Sequence, residues 1–257
     1  MKALTNPPAL RRMAEYLNSV HKQWNFVEKL MPKIDWDKVQ EWWKHGLPPN
    51  WVDVEPRLEV ADVLEFMRET RWCLVWVPRG EVVRRLVDAD KDERGNVLLA
   101  SASEIIEDSR SVLDVIEHPE LQQVRRAALE VARAIEAELN MAAQSLAASC
   151  LSDVINTKFG MSFAQAQKRF AVDDPMKIPW IRFREATVLL LVAEALENYW
   201  HDKGDPVPAR FSRHASAHSV SEEQYNRENA LAGMLLLTAF LMEADLLARE
   251  QSGDDAA

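Results

Sequence analysis

Between residues 103 and 248 the apolar side chains recur at helical spacing almost without a break. This constrains the fold more than any other property of the chain. Ile105, Ile106, Val112, Leu113 and Ile116 fit one helix, which Pro119 stops. Val124, Ala128, Val131 and Ile135 share a face of a second, over 121–139, and residues 141–157 continue or restart it. A short helix follows over 162–170. Residues 181–200, with Val188-Leu189-Leu190-Leu191-Val192, form the most apolar helix and are expected at the centre. The last helix carries Leu231, Leu235, Thr238, Met242 and Leu246 as an apolar stripe. Ser221, with Gln224 three residues on, has the spacing of a capping box at its start. Seven glycines in 257 residues are few, which also favours helices over tight β architecture. The array predicts an all-α protein.

The first hundred residues are less regular. Residues 58–70 and 81–88 read as helices, and 90–96 as a charged turn. Trp72-Cys73-Leu74-Val75-Trp76-Val77 is a continuous apolar run ending at Pro78, so residues 72–77 form either a short buried strand or an apolar loop. Residues 9–31 have helical spacing, and a second short helix opens at Asp35. Trp24, Trp36, Trp42 and Trp43 crowd this mildly basic arm and are expected to pack it onto the body. Three regions result: a helical, Trp-rich 1–100, a helical domain over 101–249, and a polar tail over 250–257 that is expected to be disordered.

A formal charge of −10 argues against a protein that coats nucleic acid through bulk charge, but it leaves room for a local phosphate site. Cys73 and Cys150 lie far apart in apolar runs, without metal-ligand spacing, as buried thiols in a reducing cytoplasm would. The first eight residues hold no long apolar core, and the apolar stretches elsewhere read as too short or too interrupted to span a bilayer; neither a secretory signal nor a membrane partner is expected. No phosphate-binding glycine loop, dinucleotide fingerprint, zinc-finger spacing or nucleophile elbow is present, so no cofactor is expected.

One segment has the residue types of chemistry. Phe211-Ser212-Arg213-His214-Ala215-Ser216-Ala217-His218 follows a proline loop (Asp205-Pro206-Val207-Pro208) and holds two of the chain's six histidines. Arg213 carries a permanent charge that can hold two phosphate oxygens, and His218 can move a proton near neutral pH. His214 is a second ring of the same kind. Arg210, Ser216 and Arg227 are the neighbouring candidates for substrate contact. His214 and His218 also have the i,i+4 spacing of zinc ligands, but no third ligand is evident and no metal is expected. In one continuous helix Arg213 and His218 would stand about 140° apart, so an irregular turn would bring them together more easily.

The arginine, the polar residue after it and the histidine five positions on (Arg213, His214, His218) lie between a long apolar helix and an apolar terminal helix. In this the segment resembles the signature of the HEPN superfamily of helical-bundle ribonucleases. The likeness covers roughly residues 104–248. It departs from the common pattern at Ser219, where many members have glycine, and at His214, where many have asparagine. The resemblance implies a HEPN-like bundle with a helical N-terminal extension. It further implies metal-independent cleavage of RNA by toxin or defence-type enzymes, a composite site across a homodimer, and restraint by an antitoxin or another regulatory protein. The alternative is a helical scaffold or partner-binding protein that kept the fold without the activity.

Overall fold

The computed structural model describes residues 46–52, 54–171, 178–218 and 220–252. The helices expected over 9–31 and from Asp35, the four clustered tryptophans, part of the loop at 172–179, Ser219 and the tail from 253 lie outside the described residues. Those described are all-α, with no strand among them. Ten α-helices follow in order: α1 Val60–Thr70, α2 Gly80–Asp88, α3 Arg94–Ala100, α4 Ala102–Asp114, α5 Gln122–Glu136, α6 Asn140–Asp153, α7 Phe163–Phe170, α8 Phe183–Ala195, α9 Arg213–His218 and α10 Arg227–Ser252. A π-helical turn, Val154–Lys158, continues α6.

The organising helix is α10. It packs against α4, α5, α6 and α8 and also touches α3. Residues 229–245 are buried all round, rather than along one stripe. Its Phe240 stacks on Phe159 (5.5 Å between ring centres) and meets Phe170 edge-on (6.2 Å). Burying such a ring stabilises by about 1.5–3 kcal/mol. The expectation that 181–200 would be central is therefore corrected: α8 packs on α7 and on one side of α10. By length and composition α10 could cross a membrane, contrary to the sequence reading, but here it is a core helix. Two buried acids within it are paired. Glu243 accepts from Arg184 Nε at 2.6 Å and from Trp76 Nε1 at 2.7 Å. Asp245 accepts from the backbone amides of Glu117 and His118 and pairs with Arg249. Buried charge persists only with such partners.

The segment 72–77 is a buried loop, so the strand alternative fails. Its backbone groups find side-chain partners in place of a ladder. Leu74 O accepts from Asn50 Nδ2 (2.9 Å) and Trp51 Nε1 (2.7 Å), and Asn50 also reaches Pro78 O (2.7 Å). Such pairing is what lets an irregular segment sit in a core.

The helix ends explain where α9 and α10 begin. The Ser221 spacing forms only a turn, with Gln224 N donating to Ser221 Oγ (3.3 Å). The helix itself is capped by Asn226, whose Oδ1 accepts from Asn229 N at 2.8 Å. Ser212 does the same for α9, accepting from Ala215 N at 3.2 Å. The expected polar tail is helical as far as Ser252.

Candidate active site

The six residues of α9 lie across α6. Their inward face is fixed by polar contacts. Ser216 is buried; its Oγ accepts from Gln144 Nε2 at 2.9 Å and its carbonyl accepts from the Tyr225 hydroxyl. Tyr225 also meets Ser145 Oγ at 2.9 Å. Ser216 thus anchors the helix to α6 and to Tyr225.

Arg213 leaves the helix in another direction. Its Nε donates to Ser152 Oγ at 2.6 Å, and its guanidinium lies 3.9 Å from the centre of the Phe163 ring. Among the described residues its polar partner is a hydroxyl and not a carboxylate, and burial lowers its pKa from the usual arginine value. An unneutralised guanidinium half out of water is a ready partner for an anion.

His214 and His218 stand together, as their spacing requires, with ring centres 4.7 Å apart and the ring planes inclined at 64°. Because α9 is regular from Arg213 to His218, the arginine and His218 fall on different sides of it, and the turn does not bring them together. His214 Nδ1 accepts the backbone N–H of Tyr199 at 2.8 Å. That nitrogen must therefore be unprotonated, and in the neutral ring Nε2 carries the hydrogen. Burial lowers the pKa of His214, and the charges of His218 and Arg213 add to this, while the contact with the Tyr199 backbone opposes them. His214 is thus held as a neutral donor, while His218 is exposed and, among the described residues, has no hydrogen-bond partner.

The sequence reading missed Tyr199-Trp200-His201. Trp200 is 42% exposed, meets the His214 ring edge-on at 5.1 Å, and lies under Lys203 Nζ at 4.2 Å. The Tyr199 hydroxyl is 3.2 Å from His201 Nδ1. The signal was an aromatic-aromatic-histidine triplet directly after an apolar helix, but its distance in sequence from Arg213 concealed its role.

The other candidates lie elsewhere. Arg227 pairs with Glu138 at 3.3 Å. Arg210 lines a separate cleft with Arg71 and Glu194, which contains none of Arg213, His214 and His218. Glu194 belongs to that cleft and not to the surroundings of His218. Arg125 pairs with Asp114, and Arg182 with Glu185. Among the described residues no third His, Cys, Asp or Glu joins His214 and His218 as a metal-ligand group. Burial pushes the Cys73 thiol up to about 12 and the Cys150 thiol up to about 11. Neither is a reactive thiolate at neutral pH.

No family model, characterised protein or solved structure matches this chain.

Proposed function

We propose that the protein is a metal-independent endoribonuclease of the toxin or defence type, resembling the HEPN ribonucleases, with its site at the outer face of α9. The observation that carries this reading is the pairing of an exposed, unconstrained His218 with a His214 locked as an Nε2–H donor. His218 takes the proton of a ribose 2′-OH. The oxygen attacks phosphorus and the bond to the 5′ oxygen breaks, leaving a 2′,3′-cyclic phosphate. The imidazolium returns the proton to the leaving oxygen. His214 supplies a hydrogen bond to the charge that builds on the phosphate. The exposed Trp200 offers a face on which a base can stack.

The reading extends to a homodimer, in which two copies of α9 face one another. Val220, 78% exposed two residues beyond His218, suits such a contact. Purified protein incubated with RNA and a chelator should degrade it, and His218→Ala should stop this without altering the melting temperature.

A second reading rests on Arg213. Its seat between Ser152 and Phe163, turned away from His218, also suits a residue that ties α9 to the body of an inactive scaffold or partner-binding protein. On that reading wild type and His218→Ala are equally inert towards RNA.

A further inference from the structure

A cleft of about 580 Å³ opens where five segments converge: the end of α1 with the residues after it, the start of α3, the end of α8, the residues before α9, and the start of α10. Cations outnumber carboxylates along it, in a chain whose net charge is −10. Several of these charges are already paired. Lys91 and Arg94 hold Glu69 at 2.6 and 2.7 Å and draw its pKa down to about 2. Arg68 is bound by Glu65, and Arg71 by Glu197 at 2.9 Å.

Two groups remain. The Arg210 guanidinium stands at the cleft with no hydrogen-bond or ion-pair partner among the described residues, and its burial together with the charge of Arg71 lowers its pKa. Glu194 has a side chain only 12% exposed, and its Oε2 lies 3.5 Å from Arg71 Nε without a hydrogen bond. Burial, the largest cause, pushes its carboxyl up to about 7; Glu197 adds to this, while Arg71 and Arg210 oppose it. Arg210 and Glu194 influence one another across the cleft, yet no ion pair closes between them. A free cation facing a buried oxygen that lacks a donor asks for a ligand with an anion at one end and a hydroxyl at the other. The volume lies within the range of small-molecule pockets.

The geometry points to a binding site for a phosphate monoester bearing ribose-like hydroxyls, of mononucleotide size, with Arg210 holding the phosphate and Glu194 accepting from a hydroxyl. This goes beyond the ribonuclease reading and does not depend on it, because no residue of α9 lines the cleft.

Calorimetric titration of the full chain with inorganic phosphate, ribose 5-phosphate and adenosine 5′-monophosphate tests it. Both esters should bind saturably and more tightly than inorganic phosphate. Arg210→Met should weaken both by about tenfold or more, the loss expected of one charge-assisted contact. Glu194→Leu should weaken the esters while leaving inorganic phosphate unchanged, and His218→Ala should leave ester binding as it is. In the wild-type protein, nuclear magnetic resonance should show the ester shifting the indole N–H of Trp72, which lines the cleft, and not that of Trp200; this reading stands even if a variant fails to fold. The absence of saturable ester binding, affinity unchanged in Arg210→Met, inorganic phosphate binding as tightly as the esters, or a shift at Trp200 alone would each overturn the proposal.

Discussion

The amide hydrogen of Tyr199 is donated to Nδ1 of His214 at 2.8 Å, and this one bond decides what that imidazole can do. A nitrogen that accepts cannot also hold a proton, so the ring is kept neutral with its hydrogen on Nε2. Nitrogen-resolved magnetic resonance should find His214 as the Nε2–H tautomer, titrating below the ordinary histidine value of 6.5. The unfolded chain takes up a proton below 6.5 while the folded ring resists it. The contribution of His214 to stability is therefore present above 6.5 and is lost as pH falls through the lower, folded value. His214→Ala should flatten that part of the stability profile. An Nδ1–H tautomer, or a ring charged at pH 7, contradicts the assignment.

Glu194 has the opposite sign. Its carboxyl is raised from the ordinary 4.5 to about 7, so between these values the folded protein holds a proton that the unfolded chain has lost. Stability from this group is greatest below 4.5 and declines as pH rises to about 7. Glu194→Gln should be more stable than wild type at pH 8, by on the order of 2–3 kcal/mol, and nearly equal to it at pH 4.5. Urea unfolding of both proteins at the two pH values decides this; a constant difference between them tells against a buried, neutral Glu194.

Glu243, only 2% exposed, neutralises Arg184 in the core around α10. Glu243→Ala leaves that guanidinium half-buried and alone, and should cost about 3–5 kcal/mol in denaturant unfolding. Glu185→Ala, which removes one of the two carboxylates that hold the more exposed Arg182 (the other is Glu250), should cost no more than about 1 kcal/mol. Similar losses for the two would remove the distinction between core and surface pairs.

Gly233 lies in α10 where an added methyl would stand 2.9 Å from the Phe211 ring. Phe211 immediately precedes Ser212, the cap of α9. Gly233→Ala should therefore destabilise by about 1–3 kcal/mol, despite alanine's better helix propensity, and should shift the resonances of His214 and His218. A stabilised variant with unchanged histidine signals would show that the ring gives way freely.

What was legible in the sequence was local. Pro119 and the spacing from Ile105 to Ile135 placed α4 and α5, and the short helix expected over 162–170 is α7, although its capping by Ser162 and Gln165 was not foreseen. The start of α10 was misplaced, because Ser221 with Gln224 and Asn226 with Asn229 compete within six residues, and only the buried Asn229 settles which caps the helix. The run from Trp72 to Val77 has the hydrophobicity of a strand; what makes it a loop is Asn50 and Trp51, more than twenty residues away. The i,i+4 meeting of His214 and His218 followed from helical geometry. The Tyr199 bond and the cleft did not, since Arg71 and Glu197 are 126 residues apart and no periodicity connects them.

The most direct measurement of the ribonuclease reading compares two oligonucleotides of one sequence, one all ribose and one with every 2′-OH replaced by hydrogen, in the presence of chelator. The account predicts cleavage of the first alone, with 2′,3′-cyclic phosphate ends, and none by His218→Ala. Cutting of the deoxy strand, or activity that survives in His218→Ala, would contradict it.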